Sequence, residues 1–470
     1  MKRLTCLAML GIALTVPNAV ADPAKTLPSD IEATAEALMA QAQVDKTGLK
    51  FVEDLTTEIG QRLAGSAQEA LAREWAVAEL TELGFDNVHV EPFEIPFWSR
   101  VSEEVSITAP SQQAIVATAL GGSAATPPGG VEGDVVRFEN MAELRGAEAS
   151  AVAGRIVFVD EGMTRTMDGS GYGMAVRKRS ECASVSAEKG ALACLIRSVG
   201  TQTHRMPHTG IMARTGAEGA GPVAAISSPD ADQLTRLLER GKVSVKVDIQ
   251  TETRTNAPSG NVIAEVTGSG LKHEIVLISC HLDSWDLGTG ALDDGAGCGI
   301  VVAAAKLIAD LPEPPRRTIR VVLYGAEEVG LFGGAAYART HSEDLVDHIL
   351  AAESDFGAGP IWRFQTRFGD TAYASVLHKL LAPLGVTPGN NEAFGGPDIG
   401  VLARSGVPVV SPNQNGMDYF DYHHTPDDTF DKVDPESFRQ NVAVYAAFTY
   451  VAAQTGWDFR AAADAPVGTQ

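Results

Sequence analysis

The second half of the chain alternates short apolar runs with longer stretches in which apolar residues recur every three or four positions. The short runs predict buried strands, and the longer period predicts amphipathic helices. Strands are predicted at 261–266, 274–280, 317–324, 347–354 and 407–411, and helices at 295–310, 330–341, 371–384, 398–405 and 434–453. This alternation is typical of an α/β fold in which a mostly parallel, mixed sheet is flanked by helices on both faces.

The first half of the chain has two different patterns. Residues 28–85 have a helical pattern, and a strand is predicted at 87–92. From about residue 105, short β-like runs are separated by Gly, Pro and Ser, which is typical of a separate β-rich module. We therefore predict N-terminal helices and the first part of the main domain at 22–104, an inserted module at 105–256, the rest of the main domain at 257–457 and a flexible tail at 458–470.

The first 21 residues have the pattern of a signal peptide. Lys2 and Arg3 precede an apolar run at 4–16, and small residues frame a cleavage site after Ala21. That run is too short to cross a membrane, and no other run reaches the ~18 apolar residues that a spanning helix needs. The sequence therefore predicts a cleaved signal peptide at 1–21, no membrane anchor, and a mature protein in the periplasm or outside the cell.

The charge balance restricts the partners of the protein. The 470 residues include 60 acidic and 37 basic residues, which gives a formal net charge of −23. Binding to phosphate backbones requires clustered Lys and Arg. The balance therefore argues against nucleic acid as a partner.

Four cysteines remain after the predicted signal peptide: Cys182, Cys194, Cys280 and Cys298. In an oxidising compartment they can pair, with Cys182–Cys194 and Cys280–Cys298 as the local choice, although buried free thiols are an equal alternative. No two cysteines have the C-x-x-C spacing, so the sequence does not predict a thiolate zinc site.

Candidate chemistry is concentrated where a predicted strand runs into a polar, glycine-rich loop at 279–297. His281, Asp283 and Asp293 lie in this segment, at the carboxyl end of the strand. Open α/β sheets place their ligands at that end of their strands. A histidine and two separated aspartates in such a loop suit a divalent metal ion.

Three further clusters follow predicted strands or lie in a late loop: Glu327-Glu328, Asp355 and His424. Each cluster alone is a weak signal, but together they fit two zinc ions. Zinc accepts imidazole nitrogen and carboxylate oxygen, and a pair of ions needs one shared carboxylate. The inventory for two Zn²⁺ per chain is then His281, Asp293, Glu328, Asp355 and His424. Glu327 is left over as a general base, and Asp283 can orient the imidazole of His281.

These motifs resemble the dinuclear zinc exopeptidases, the group that contains secreted leucine aminopeptidases and glutamate carboxypeptidases. The shared motifs are His-x-Asp at 281–283, Asp-Asp-Gly-Ala-Gly at 293–297, Glu-Glu at 327–328, Asp355 and His-Thr-Pro at 424–426. The similarity is greatest to the plasma glutamate carboxypeptidase branch. It extends into the inserted module, which resembles a protease-associated domain, and covers residues 30–455.

The resemblance implies roles for these residues. Asp293 bridges the ions, His281 and Asp355 complete one of them, Glu328 and His424 complete the other, and Glu327 is the general base. It also implies a cis peptide bond between Asp293 and Asp294, a homodimer, and short unblocked peptides such as dipeptides as substrates. Asp398 and His208 are candidate substrate contacts, the second if the inserted module folds over the cleft.

Three alternatives compete with this interpretation. A broad-specificity aminopeptidase of the same family would share every motif. A rival metallopeptidase family carries a lid domain between its last acid and its last histidine, whereas only 68 residues separate Asp355 from His424 and they already hold predicted helices and a strand. A binding protein without catalytic activity would have lost several ligands, which this chain retains.

Overall fold

The computed structural model describes residues 26–212 and 220–460. The predicted signal peptide at 1–21 and all but the first three residues of the predicted tail at 458–470 lie outside the described residues. Among the helices that are described, none is both long enough and apolar enough to cross a membrane.

The described residues form fourteen strands and thirteen α-helices. The strands are β1 (Asp86–Ala109), β2 (Gln113–Ile115), β3 (Ala117–Ala119), β4 (Val131–Phe138), β5 (Ile156–Val159), β6 (Ala193–Arg197), β7 (Val223–Ile226), β8 (Ser244–Val266), β9 (Leu271–His281), β10 (Arg317–Tyr324), β11 (His348–Glu353), β12 (Ile361–Arg367), β13 (Thr387–Pro388) and β14 (Val409–Gln414). The helices are α1 (Ser29–Ala42), α2 (Thr47–Asp54), α3 (Ala67–Glu82), α4 (Met141–Gly146), α5 (Ala149–Val152), α6 (Ser170–Glu188), α7 (Ser228–Leu238), α8 (Ala296–Ala309), α9 (Phe332–Thr340), α10 (Ala372–Leu381), α11 (Gly400–Arg404), α12 (Tyr419–Tyr422) and α13 (Pro435–Gln454).

The strands follow the order β13-β12-β14-β11-β9-β10-β8-β4-β5-β6-β7-β3, with β1 paired to β8 and β2. The four strands β14, β11, β9 and β10 are parallel, while β8 and β12 run antiparallel to their neighbours in this group. Helices cover both faces. The predicted fold class, an α/β protein with a mixed sheet between helical layers, is confirmed.

Side chains alternate between two cores along the central strands. In β9, Val276 and Ile278 pack in a core with α8 and α13, whereas Ile275 and Leu277 pack in a second core with α9 and α11. Successive residues of a strand point to opposite faces of the sheet. A continuous apolar run in the sequence therefore indicates a strand that is covered on both sides.

The two longest strands, β1 and β8, form an antiparallel ribbon that joins the main domain to the inserted module. Their outer parts pack in the core of the module, through residues such as Val105 and Val245. The predicted boundaries at 105 and 256 lie inside these strands instead of in loops. The division into domains stays a prediction.

Two disulfides are formed. Cys182–Cys194 joins α6 to β6 within the inserted module, and Cys280–Cys298 joins β9 to α8 directly beneath His281. The local pairing is thus the one that the structure shows, and the alternative of four free thiols is wrong.

Candidate metal centre and active site

The register of the central sheet brings the predicted site residues to one edge. On neighbouring parallel strands, Tyr324 of β10 pairs with His281 of β9, and Glu353 of β11 pairs with Ser279. The strands therefore end at nearly the same level. The chain after β10 reaches Glu327-Glu328 within three residues, and the chain after β11 reaches Asp355 within two.

The loop between His281 and Asp293 is held by Arg62, a fully buried arginine. Its guanidinium donates to three loop carbonyls, those of Leu282 at 2.6 Å, Thr289 at 2.6 Å and Gly290 at 3.0 Å. Buried carbonyls need such partners, and one guanidinium can satisfy several of them. The loop is therefore fixed from beneath the site.

Asp293 is fixed by its neighbours on both sides. The Asp428 carboxylate accepts hydrogen bonds from the backbone N–H groups of Leu292, at 2.6 Å, and Asp293, at 3.2 Å. Asp294 accepts from the backbone N–H groups of His281 and Gly297, both at 3.1 Å. The peptide bond between Asp293 and Asp294 is cis, as the family resemblance implied.

The five predicted ligands converge around the Asp293 carboxylate. Nε2 of His281 lies 3.0 Å from Oδ1 of Asp293 and 3.4 Å from Oδ1 of Asp355. Nε2 of His424 lies 3.1 Å from Oδ2 of Asp293 and 3.0 Å from Oε2 of Glu328. Each oxygen of Asp293 therefore faces a different histidine and a different second carboxylate.

This donor set fits a divalent cation on each side of Asp293. Ligand atoms at 2.0–2.2 Å from a tetrahedral zinc ion are about 3.3–3.6 Å apart, close to the separations observed here. The site also needs positive charge, because burial raises the pKa of Glu328 to about 7 and raises that of Asp355. Buried carboxylates that crowd together favour protonation unless a cation compensates them.

His423 is a competing donor on one side. Its Nε2 lies 3.5 Å from Oδ2 of Asp293, and its ring stacks on that of His424 with 3.5 Å between centroids. His424 is closer to Asp293 and also faces Glu328, whereas burial lowers the pKa of His423 well below its usual range. The geometry favours His424 as the ligand, with His423 packed behind it.

Glu327 lies beside the ligands and lines the same cavity of about 200 Å³ as Asp293 and Asp355. The preceding Ala326 has φ of +57°, which turns the chain sharply after β10. Burial raises the pKa of Glu327 well above its usual range. A carboxylate with raised basicity next to a metal site is suited to accept and return a proton.

Comparison with known proteins decides the family. Residues 261–449 match peptidase family M28. Carboxypeptidase Q from Mus musculus is 35% identical over 404 residues, which cover 85% of this chain and 84% of that protein. This chain belongs to peptidase family M28. The enzyme is therefore a metallopeptidase, and the predicted resemblance is confirmed.

Solved structures agree with this M28 assignment. A peptidase M28 precursor from Shewanella amazonensis is 51% identical, with a TM-score of 0.90 over 92% of this chain and 98% of that one. A zinc aminopeptidase from Bacillus subtilis is 21% identical, with a TM-score of 0.65 over 88% of this chain and 97% of that one. The second comparison shows a shared fold.

The role predicted for the Asp283 side chain in this M28 peptidase needs correction. Nδ1 of His281 lies 2.9 Å from the backbone carbonyl of Asp283, whereas the carboxylate is 3.8 Å away. The carbonyl therefore orients the imidazole. The carboxylate instead accepts from the backbone N–H groups of Glu327, at 3.0 Å, and Glu328, at 3.3 Å. Asp283 thus positions the two glutamates.

Asp398 does not lie where a substrate contact was predicted. It is 1% exposed, and its Oδ1 accepts from the backbone N–H of Gly334 at 2.9 Å. Its own backbone N–H donates to Glu353 at 2.9 Å. Asp398 therefore packs beneath the site and does not line the cavity, because the turn that carries it folds back onto β11.

His208 also differs from its predicted role. It is 1% exposed, and its Nδ1 donates to the backbone carbonyl of His423 at 2.7 Å. Burial lowers the pKa of His208 to about 4, so the ring is neutral at physiological pH. His208 supports the loop that carries His424, and it is too enclosed to touch a substrate.

The inserted module contributes residues that the sequence did not point to. Its Thr209 carbonyl lies 3.2 Å from Nδ1 of His424, and its Tyr172, Arg179 and Ile211 line the cavity. Thr209 and Ile211 belong to the segment 207–211, which is part of the module's resemblance to a protease-associated domain, whereas Tyr172 and Arg179 belong to no motif. Tyr172 and Arg179 lie on one face of α6 at a spacing of seven residues, which is a signal for a shared helical face but not for a site.

Proposed function

We propose that this M28 metallopeptidase is a dinuclear zinc exopeptidase that hydrolyses short unblocked peptides, with dipeptides as the main substrates. The observation that carries the proposal is the position of the Asp293 carboxylate, because each of its two oxygens faces a different set of proposed ligands. The similarity to carboxypeptidase Q over most of both chains supports the substrate class. The cavity at this site has a volume of about 200 Å³, which suits a short peptide.

The proposed ligands are His281, Asp293 and Asp355 for one ion, and Asp293, Glu328 and His424 for the other. Bound zinc supplies Lewis acidity and lowers the pKa of water at the site. The chain itself supplies Asp293 as the shared ligand. The Thr209 and Asp283 carbonyls hold the two imidazoles in the tautomer that leaves Nε2 free for metal.

The proton path in this proposal runs through Glu327. Its carboxylate accepts the proton of the attacking water and then donates it to the departing amine. The raised pKa of Glu327 matches it to both steps, because the group must bind a proton during the first and release it in the second. The carboxylate of Asp283 keeps the Glu327 backbone in place.

A substrate panel tests the proposal. Purified enzyme is assayed with dipeptides, N-acetylated dipeptides, amidated dipeptides and longer peptides, before and after chelation and after zinc is restored. We expect hydrolysis of free dipeptides that disappears with chelation and returns with zinc. Hydrolysis of amidated peptides with a strict need for a free amine would instead support a broad aminopeptidase. Zinc binding with no hydrolysis in any arm would contradict the proposal.

Export and assembly complete the proposal. The charged start, the apolar run and the cleavage site after Ala21 support a cleaved signal peptide, and two disulfides are consistent with an oxidising compartment. The family resemblance is the support for a homodimer. The N-terminus of the exported protein and light scattering of the purified protein test these two points.

A further inference from the structure

A second cavity, with a volume of about 320 Å³, adjoins the catalytic cavity. The two cavities share three lining residues, Asp355, Phe356 and Pro397. The second cavity, which we call the side cavity, lies between the loop at 394–397 and the end of β14. Because Asp355 is a proposed ligand, a peptide bound at the ions has the side cavity directly beside the bond that is cut.

The side cavity has acidic side chains in its wall. Besides Asp355, three carboxylates line it: Asp168, Glu353 and Glu392. Asp168 belongs to the inserted module, Glu353 ends β11, and Glu392 precedes the loop at 394–397. Within the described ranges, 26–212 and 220–460, no Lys, Arg or His lines the side cavity. Carboxylates that share one space repel each other and attract a cation.

Glu353 has one carboxylate oxygen without a partner. The residue is 4% exposed, and its Oε2 accepts from the backbone N–H groups of Asp398, at 2.9 Å, and Ile399, at 3.3 Å. Its Oε1 is buried and has no hydrogen-bond partner among the described residues. Other buried carboxylates near the site accept backbone hydrogen bonds on both oxygens: Asp283, Asp294 and Asp428. Since a buried acceptor without a donor costs free energy, Glu353 is suited to a ligand that brings a donor into the side cavity.

The remaining wall of the side cavity is largely apolar. Phe356, Phe394, Pro397 and Pro412 line it. Lys and Arg side chains carry their charge at the end of an apolar stem of three or four carbons, so apolar walls and carboxylates together fit both parts of such a chain. A metal ion fits less well, because the three added carboxylates form no metal-sized cluster in the described part of the chain.

We infer that the side cavity binds a cationic side chain on the N-terminal residue of the substrate, so that the enzyme favours peptides that begin with Lys or Arg. The inference rests on the proposed function. The N-terminal residue of a dipeptide contains the carbonyl that is attacked, so its side chain starts beside the proposed ions and Asp355. Asp168, Glu353 and Glu392 then determine specificity by accepting charge-assisted hydrogen bonds from the ammonium or guanidinium group.

Paired substrates isolate the side-chain charge. Lysyl-alanine and norleucyl-alanine have the same backbone and the same carbon stem, and they differ in the terminal ammonium group. Wild type should hydrolyse lysyl-alanine with a kcat/KM about 10-fold higher, mainly through a lower KM, and the ratio should fall at high salt because exposed charges are screened. Alanyl-lysine and alanyl-norleucine should differ by less than about twofold. Calorimetric titration with free lysine and free norleucine makes the same comparison without turnover.

Isosteric variants then locate the charges that give the preference. Asp168→Asn and Glu392→Gln each remove one charge from an exposed side chain and should each lower the ratio for lysyl-alanine over norleucyl-alanine by about threefold. The double variant should have a ratio near one. Glu343→Gln is the matched control, because Glu343 is exposed and does not line the side cavity, and its ratio should equal that of wild type. Zinc content and thermal unfolding verify that each variant is folded.

The other outcomes contradict the inference. Equal kcat/KM values for lysyl-alanine and norleucyl-alanine in an active wild type would overturn it alone. A ratio that falls as much in Glu343→Gln as in the side-cavity variants would assign the preference to the overall negative charge of the protein. A preference for lysine only at the second position would place the cation outside the side cavity. A wild type that hydrolyses no dipeptide would overturn the proposed function as well, which is a distinguishable result.

Discussion

The two halves of the proposed metal centre are built from different parts of the molecule. His281 ends β9, Asp355 follows β11, and the imidazole is oriented by a carbonyl only two residues away. His424 lies in a loop at φ +61°, and its imidazole is oriented by Thr209 of the inserted module. The first half is fixed by the central sheet, whereas the second half is completed when the module packs against the main domain.

The difference makes the inserted module part of the site. The backbone N–H of Thr209 donates to the His424 carbonyl at 3.0 Å, and His208 donates to the His423 carbonyl. These contacts join segments that are 215 residues apart in the chain. The module therefore holds the proposed ligand His424 in place, besides lining the cavity.

Removing Asp293, the residue shared by both halves, should have the largest effect on bound zinc and on activity. Asp293→Ala removes the ligand common to both sets, so bound zinc should fall below one equivalent and activity by more than about 10⁴-fold. Elemental analysis and turnover measure the two effects. Asp427→Ala, which removes a carboxylate that pairs with Lys432 in the nearby loop, is the control and should leave both unchanged. An Asp293→Ala enzyme with two tightly bound zinc ions would contradict the shared ligand.

Glu327→Gln should lower turnover while leaving both halves intact. We expect a loss of about 10²–10⁴-fold in kcat, because a proton-transfer group is removed without removal of a ligand. Zinc content should equal that of wild type. Glu328→Gln is the matched comparison and should weaken zinc binding in the His424 half. Loss of zinc from the Glu327→Gln variant would mean that Glu327 is itself a ligand.

A substitution in the inserted module should weaken zinc binding in the His424 half and leave the His281 half unchanged. His208→Phe removes the hydrogen bond to the His423 carbonyl and keeps an aromatic ring in the same buried space. Loss of a supporting contact typically weakens metal binding by about 10–100-fold. We expect this for one zinc equivalent only, measured by stepwise competition with a chelator. Equal weakening of both equivalents would show that the halves are not supported separately.

The smallest expected effect is on the pH dependence of stability, and it comes from His348 at the start of β11 in the central sheet. Burial lowers its pKa to about 4, so the folded protein binds fewer protons than the unfolded chain between pH 4 and 6.5. The free energy of unfolding is therefore highest above pH 6.5. It falls by at most about 3 kcal/mol as the pH is lowered from 6.5 to 4.

The measurement is urea unfolding of the metal-free protein across this pH range, with His348→Gln as the comparison. The pH dependence should be flatter in the variant, while its turnover at neutral pH should change little, since His348 contacts Tyr337 and Asp344 at the far end of the strand. An identical pH dependence in both proteins would exclude His348 as the source.

The sequence was sufficient to predict the strands of the sheet half and the residues that converge around Asp293. Apolar runs mark buried strands, and polar residues directly after them mark the edge where ligands gather. The strand β12 was missed although residues 361–367 alternate in part, because Trp362 and Arg363 interrupt the apolar/polar period.

The supporting contacts could not be predicted in the same way. Arg62 reaches Leu282 across 220 positions, and Asp428 reaches Leu292 across 136. Arg179 meets the site only because the module packs over it. Local periodicity carries no information about pairs of residues at such separations. The sequence around these residues is therefore ordinary, and only the fold shows that they contact the site.

Zinc-edge anomalous diffraction from crystals of the zinc-loaded enzyme tests the central claim most directly. Two peaks are expected about 3.5–4 Å apart, as in other two-metal sites. One should lie at Oδ1 of Asp293 with His281 and Asp355, and the other at Oδ2 with Glu328 and His424. A single peak at full zinc occupancy, or a second peak away from Asp293, would contradict the dinuclear site.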